Sequence, residues 1–446
     1  MSLKSEALSP WGMPPAHAVE IKPLRRKLDV AIAIPGSKSF TNRALVMAAV
    51  AKGVSHLRSP LFSDDSYWCV DALQKLGLAV NADKAGDVIS VTGTGSFRMQ
   101  GDAPYIGSAG TIARFLPGVL AARAEGKVTL TSSSQLAKRP VAEMIAALRQ
   151  LGAEIEMPAV GSFPMTITGG SLKGGEATIS GKISSQFISG LLIAAPLAQE
   201  SVTLHITDHI VQADYVRMTL AMMADFGIKV AHDDALSWFK IEPQDYLARD
   251  LVLEADASTS TYFFALAAAT QSRVTVTNLN PQTLQPDFGF INYLAALGCD
   301  VEKTDHHVTV TGPARLKGNQ VFDFNPCSDS TPAFIAVAPY ADGVLQVTNV
   351  EHIRKHESDR ISVMRQTLEN AGIGVVEAAD GLTVTPGVPQ YVTVDPHDDH
   401  RMAMAFSIMA VAGAGGKILD PACVSKTCPD FFHLLQKLGI SCVVEA

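Results

Sequence analysis

Cysteine is used too sparingly in this chain to point to disulfides or structural zinc. Six cysteines, at positions 69, 299, 327, 423, 428 and 442, are scattered over 446 residues, and no C-x-x-C occurs. Such usage suits reduced thiols and predicts a cytoplasmic protein. Positive charge is also scarce, with 36 Lys and Arg against 44 Asp and Glu and a net charge of −8. A nucleic-acid partner is therefore not expected, and an anionic substrate would need a local basic cleft. Long apolar runs are missing too. Stretches such as "FISGLLIAAPLA" fall short of the roughly 20 residues that span a bilayer, so no membrane association is expected. The opening "MSLKSEALSPWGMPPAH" has no apolar signal-peptide core and reads as a loose tail. There is no Gly-x-Ser-x-Gly elbow, dinucleotide fingerprint or His-Glu-x-x-His, and no cofactor is expected.

What is present is ordinary globular composition, 47% hydrophobic and 18% charged, at a length that suggests two or more domains. One phrase recurs throughout: "LGLAV" at Leu76, "LGAEI" at Leu151, "FGIKV" at Phe226, "LGCDV" at Leu297, "AGIGV" at Ala371 and "LGISC" at Leu438. Its glycines, at 77, 152, 227, 298, 372 and 439, are separated by 75, 75, 71, 74 and 67 residues. Each glycine is expected to end a helix just before a strand. Between these phrases lie paired helical stretches with polar, cap-like starts, several of them apolar on every side and so buried all round. The pattern predicts six β-α-β-α-β-β units in two domains of three, an α/β architecture with helices inside and sheets outside. Residues 1–35 with 255–446 form the domain holding both termini, and 36–254 the inserted one, with the active site in the cleft between them.

The stretch "PGSKSFTNRAL" at Pro35 resembles a phosphate loop but fails the pattern, because Ser37 precedes the lysine. It does place Lys38, Ser39 and Arg43 at a helix start. Helix N-termini carry unpaired N–H groups and about half a positive charge, so several converging on one cleft would attract anions. Basic residues recur at helix starts elsewhere: Arg114, Arg139, Arg360, Arg401 and Lys426. Asp329 and Glu357 lie beside such places and suit either proton transfer or simple N-capping. In "HDDHRMAMAF" His397 and His400 invite a metal, but no third ligand is indicated by spacing. No metal is expected, and Asp399 reads as the cap of a helix whose first turn carries Arg401.

Taken in order, "PGSKSFTNRAL", "GSAGTIARFL", "AKRPV", "SSQF", "HESDRI", "DDHRMAMAFS" and "SKTCPDFF" resemble the motifs of the enolpyruvyl transferase family, in its branch that acts on shikimate 3-phosphate. The resemblance implies a fold of two inside-out α/β barrel domains, each of three repeats. It implies transfer of the enolpyruvyl group from phosphoenolpyruvate to the 5-hydroxyl of shikimate 3-phosphate, with phosphate released, by a cytoplasmic, monomeric enzyme of aromatic amino-acid biosynthesis. It assigns Lys38, Gly110, Arg139, Gln186, Arg360, Arg401 and Lys426 to phosphoenolpyruvate. It assigns Lys38, Ser39, Arg43, Ser184, Ser185, Gln186, Tyr215, Asp329 and His356 to the acceptor. Glu357 is the implied acid, Asp329 the implied base, and Lys38 lies near the attacking oxygen.

Several residues depart from the family pattern. Ser108 stands for an asparagine, His356 for a lysine, His352 for a common asparagine and Gln212 for a phosphate-binding serine. Most of these belong to the acceptor's phosphate half-site, which leaves open a different shikimate-like or cyclitol acceptor. Relatives that act on a UDP-sugar carry a loop cysteine where Ser134 stands here. A non-catalytic anion-binding paralogue is the alternative of another class, disfavoured by the intact Asp329, Glu357 and Lys426.

Overall fold

The computed structural model describes residues 6–445. They form two compact units. One holds Gly36–Leu253 together with the described residues up to Pro10, and the other holds Trp11–Pro35 and the chain from Glu254 onward.

The six recurring glycines explain the local architecture. All have positive φ, from 76° at Gly372 to 94° at Gly298, a region that side-chain-bearing residues enter only at a cost. Each lies two residues past the end of a helix, after Lys75, Gln150, Asp225, Ala296, Asn370 and Lys437. The left-handed turn reverses the chain into the next strand, as at Ala79–Asp83 and Cys442–Glu445.

In the first unit three sheets are present. One orders Asp250–Val252, Gly53–Arg58, Val88–Gly93 and Ala79–Asp83. A second orders Ala231–His232, Trp238–Ile241, Val202–Ile206 and Gly175–Ile179. A third has only Lys127–Leu130, Met165–Thr168 and Glu154–Glu156. In the first two, a parallel pair lies beside antiparallel neighbours. In the third the parallel partner shrinks to isolated bridges such as Tyr105↔Thr131, so the regular repeat expected from the sequence is incomplete there. Three helices, Lys38–Val50, Ile112–Arg123 and Ser185–Ala194, are buried over most of their length. The last two touch so closely that a Cβ on Gly190 would lie 2.1 Å from the Arg114 carbonyl oxygen.

The second unit also has three sheets, each of four strands. They centre on Ala18–Ile21 with Gly416–Leu419, on Val308–Thr311 with Arg273–Val276, and on Leu345–Thr348 with Gly381–Val384. Their apolar faces cover the buried helices Ala257–Thr270, Thr331–Val337 and His400–Ala412. Phe263, Phe264, Phe334, Met404, Phe406 and Ile408 are all 0–1% exposed, and each contributes roughly 1.5–3 kcal/mol to this core as a large apolar side chain removed from water. Among the described residues no sheet in either unit closes into a barrel.

The N-terminal segment is not the loose tail expected. Glu6–Pro10 belong to the first unit rather than to the unit that takes up Trp11–Pro35, which also corrects the assignment of all of residues 1–35 to one domain. The physical cause is a set of hydrogen bonds. Tyr105 Oη donates to the Glu6 carbonyl at 2.8 Å, Trp68 Nε1 donates to the Ala7 carbonyl at 2.8 Å, and Ser9 donates from N and Oγ to Asp64 Oδ1 at 2.9 and 2.6 Å. Residues 1–5 of that segment lie outside the described chain. All six cysteines are buried and unbonded, and no helix among the described residues is long and apolar enough to cross a membrane.

Candidate active site

Helix starts carry most of the polar residues singled out above, and in the second unit they converge. Arg360 is the first residue of the helix Arg360–Asn370, Arg401 the second of His400–Ala412, Asp329 sits in the short turn Ser328–Ser330, and Lys426 ends Pro421–Lys426. Asp359 caps the first of these helices by accepting from Ser362 N, and Asp399 caps the second by accepting from Arg401 N. The two residues preceding that cap, His397 and Asp398, are held in the left-handed region at φ 52° and 58°.

Arg360 is the hub. Its Nη1 donates to Asp329 Oδ1, its Nη2 to Glu357 Oε2 and its Nε to Asp399 Oδ2, each at 2.8 Å. Arg401 Nη2 donates to the other Asp329 oxygen at 2.8 Å, and Lys426 Nζ lies 3.2 Å from Glu357 Oε1. Three carboxylates and three cations are thus interleaved, with Arg360 1% exposed and Asp399 fully buried. Burial works against the charge on Arg360, but Asp399, Glu357 and Asp329 outweigh it and hold the guanidinium above its ordinary pKa. Burial also opposes the charge on Asp329, yet Arg401, His356 and Arg360 hold that carboxyl well below the usual range. His356 Nδ1 lies 3.2 Å from Arg360 Nη1 and 3.6 Å from Asp329 Oδ1. His352 Nε2 bonds Ser328 Oγ at 2.7 Å, and the two imidazoles meet edge to face at 5.7 Å.

The first unit presents a second group. Lys38 begins the helix Lys38–Val50, with its ammonium 3.9 Å from Asp65 Oδ2. Ser39, next in the helix, gives its carbonyl to Arg43 Nη1 at 3.0 Å. The rest of the Arg43 guanidinium is engaged inside the protein. Nε donates to Thr219 Oγ1 at 2.8 Å, Nη2 reaches the Tyr215 carbonyl at 3.3 Å, and the Phe115 and Tyr215 rings flank it at 5.2 and 5.8 Å. Burial pushes its pKa down to about 10. Arg43, 1% exposed, is therefore a buried brace between helices in this structure. Tyr215 itself lies in the first turn of Asp214–Asp225.

Gly110 passes beneath two guanidiniums, since a Cβ there would meet Arg139 Nη1 at 2.6 Å and Arg114 Nη1 at 3.2 Å. Arg114 ties the two segments together by donating to the Gly110 carbonyl at 2.9 Å and the Pro140 carbonyl at 3.0 Å. Ser184 caps the helix Ser185–Ala194 by accepting from Gln186 N at 3.2 Å, and Ser185 is buried behind it. Gln212 is buried and left-handed at φ 51°, and Ser108 Oγ bonds Ser133 Oγ at 2.7 Å.

Sequence reasoning missed two acidic partners. Asp65, the partner of Lys38, gave a signal only as part of the polar start of "SDDSYWCVDAL". Asp287 gave none. It is 1% exposed and accepts from Ser258 Oγ. Burial, opposed by Arg401 and helped by Asp329, pushes its pKa up to about 7.

These paired carboxylates and cations fall within a chain whose residues 24–435 match the family model described as EPSP synthase (3-phosphoshikimate 1-carboxyvinyltransferase). The chain belongs to the EPSP synthase family. It is thereby placed among the carboxyvinyl transferases. It is 44% identical over 441 residues to 3-phosphoshikimate 1-carboxyvinyltransferase 2 of Halalkalibacterium halodurans, covering 97% of each chain. It is 37% identical to the 3-phosphoshikimate 1-carboxyvinyltransferase of Trichormus variabilis, covering 94% of this chain and 99% of the relative. In fold it matches an EPSP synthase of Acinetobacter baumannii with a TM-score of 0.80 at 24% identity, over 96% of this chain and all of the other. The enolpyruvyl transferase NikO of Streptomyces tendae matches with a TM-score of 0.75 at 17% identity, over 97% and 99% of the two chains. The last two likenesses concern the mixed α/β fold, and EPSP synthase family membership rests on the first three.

Proposed function

We propose that this chain transfers the enolpyruvyl group of phosphoenolpyruvate to the 5-hydroxyl of shikimate 3-phosphate and releases phosphate, as a monomeric, cytoplasmic enzyme of aromatic amino-acid biosynthesis. The observation that carries the proposal is the junction of two carboxylates, Asp329 and Glu357, on the single guanidinium of Arg360, with Arg401 and Lys426 beside them. The reaction needs an acid that protonates the methylene carbon of phosphoenolpyruvate and a base that takes the proton of the attacking hydroxyl. It also needs cations for a phosphate and a carboxylate, for which arginine forks suit the planar anions and lysines the point contacts.

In this reading Glu357, wedged between Arg360 and Lys426, is the acid, and Asp329 the base. Arg360, Arg401 and Lys426 bind phosphoenolpyruvate from one domain. Lys38, Gly110, Arg139 and Gln186 bind it from the other. Lys38, Ser39, Arg43, Ser184, Ser185, Gln186, Tyr215, Asp329 and His356 serve the acceptor. For Arg43 the fitting role is indirect, because its donors are taken up inside the protein, and it acts by holding Ser39 and Tyr215 in place. The fold that fits this reading is two inside-out α/β barrel domains of three βαβαββ units each, residues 1–35 with 255–446 and residues 36–254, apart from the segment Glu6–Pro10, which joins the latter.

A second reading is favoured by His356 and Gln212, which put uncharged side chains where a charged or hydroxyl contact to the acceptor's phosphate is expected. Here the acceptor is another shikimate-like alcohol. Glu357→Gln and Asp329→Ala test the shared chemistry. Each should lower kcat by about a hundredfold or more, and near-normal turnover by a folded variant would remove its assigned role. Competition by shikimate-like alcohols lacking the phosphate decides between the acceptors.

A further inference from the structure

We propose that His356 is a proton relay for Asp329, taking up the proton that Asp329 removes from the acceptor hydroxyl and passing it to solvent. The proposal rests on the assignment of Asp329 as the base.

Cations lie on both oxygens of the Asp329 carboxylate. Among the described residues, Arg360 Nη1 reaches Oδ1, Arg401 Nη2 reaches Oδ2, and His356 Nδ1 lies 3.6 Å from Oδ1. The two guanidiniums are permanently protonated and have no lone pair to offer. Of these three side chains, only the imidazole can receive a proton arriving on Asp329. That proton is also driven off. A carboxyl held well below its usual range by two arginines is a poor place for a proton to remain.

The imidazole is set to accept. In the tautomer with its hydrogen on Nε2, His356 Nδ1 accepts at 3.2 Å from Arg360 Nη1, which can only donate; in the other, Nδ1–H is turned toward Asp329 Oδ1. In the first, the Nδ1 lone pair faces the same Arg360 nitrogen that holds Asp329 Oδ1, so a sub-ångström approach of ring and carboxyl closes 3.6 Å to hydrogen-bond distance, about 3 Å. The His356 side chain is 20% exposed, which gives the proton a way out. The charged or titratable groups acting on the ring are Asp329, Arg360 and Glu357, with His352 packed on its face. Burial, opposed by Asp329 and helped by Arg360, holds the imidazole below its ordinary pKa, hence neutral near pH 7.

The step balances. The acceptor's O–H bond breaks as its oxygen bonds to the cationic carbon, and the proton passes to Asp329 Oδ1. It then moves to His356 Nδ1, leaving the aspartate ionised and the ring an imidazolium. The imidazolium loses one proton to water, and Nδ1 again accepts from Arg360. A lysine at 356, charged near neutrality, could bind an anion but could not take this proton.

The test is steady-state turnover from pH 5 to 9 with His356→Ala, His356→Lys and Asp329→Ala, alone and combined. His356→Ala should lower kcat about tenfold or more. It should also erase the acidic limb of the kcat profile, which in the unmodified enzyme falls as pH drops through the histidine pKa below 6.5. Added imidazole should restore kcat several-fold in His356→Ala but not in the Asp329→Ala variant, a readout that lost packing would not give. His356→Lys should bind acceptor at least as tightly yet turn over slowly. In the Asp329→Ala background His356→Ala should cost nothing further. If His356→Ala and His356→Lys keep kcat within twofold and the acidic limb persists, while Asp329→Ala is crippled, the relay is wrong and the base assignment stands. If Asp329→Ala turns over normally, both fall together.

Discussion

Replacing Arg360 by lysine keeps one positive charge but removes the fork that joins three carboxylates. In the native side chain Nη1, Nη2 and Nε each donate at 2.8 Å, to Asp329, Glu357 and Asp399. One ammonium on a shorter, flexible stem can serve one of them well. Two charge-assisted hydrogen bonds are lost, at about 1.5–3 kcal/mol each. Asp329 keeps Arg401, and Glu357 keeps Lys426, whereas the fully buried Asp399 loses its Arg360 ion pair. The net destabilisation should therefore lie near the lower end of that sum, about 3 kcal/mol, consistent with the cost of breaking buried ion pairs.

The loss should also depend on pH. Asp329 titrates well below its ordinary value in the folded chain, against about 3.9 unfolded. A carboxyl depressed in this way contributes stability that is present above the unfolded pKa and disappears as pH falls through the folded one. The gap between unmodified protein and Arg360→Lys should be full at pH 7 and 5 and shrink only below about pH 4, as acid protonates Asp329 in the variant, which keeps only Arg401, before it does so in the unmodified protein. Urea unfolding followed by circular dichroism at pH 7, 5 and 3 measures it. A gap under about 0.5 kcal/mol at pH 7, or one that does not narrow with acid, would show that Arg360 does not hold these carboxylates together.

Two further outcomes follow from the same geometry. Gly110→Ala should raise KM for phosphoenolpyruvate about tenfold, because its Cβ would meet Arg139 Nη1 at 2.6 Å and overpacking costs about 1–3 kcal/mol; steady-state kinetics with an unchanged KM would contradict this. Asp287→Asn should stabilise the protein at pH 8 and have little effect at pH 4. A carboxyl whose folded pKa is about 7 favours folding fully only below its unfolded pKa and loses that contribution as pH rises through 7; a thermal midpoint lowered more at pH 8 than at pH 4 would refute the sign.

How much of this was legible in the sequence differs by element. The six glycines at 77, 152, 227, 298, 372 and 439 could be read because a helix-ending left-handed turn is a local requirement that glycine meets best. Asp399 was likewise visible as a cap. What could not be read is pairing across long separations. Asp399 looked like a cap and is also the Nε partner of Arg360, 39 residues away. Arg43 looked like a ligand for an anion, but Thr219 and the rings of Phe115 and Tyr215, far away in sequence, enclose it. The opening segment lacked any periodic signal, and its place is set by single hydrogen bonds to Trp68, Tyr105 and Asp64. Asp287 is a buried acid whose partners, Ser258 and Arg401, are brought to it only by folding.

The most direct test of the central claim is phosphate release measured with phosphoenolpyruvate and shikimate 3-phosphate together, against phosphoenolpyruvate with shikimate alone. Rapid, saturable release is expected, requiring both phosphoenolpyruvate and shikimate 3-phosphate and yielding the enolpyruvyl ether of the acceptor. No release with shikimate 3-phosphate, at enzyme and substrate concentrations that saturate both sites, would contradict it.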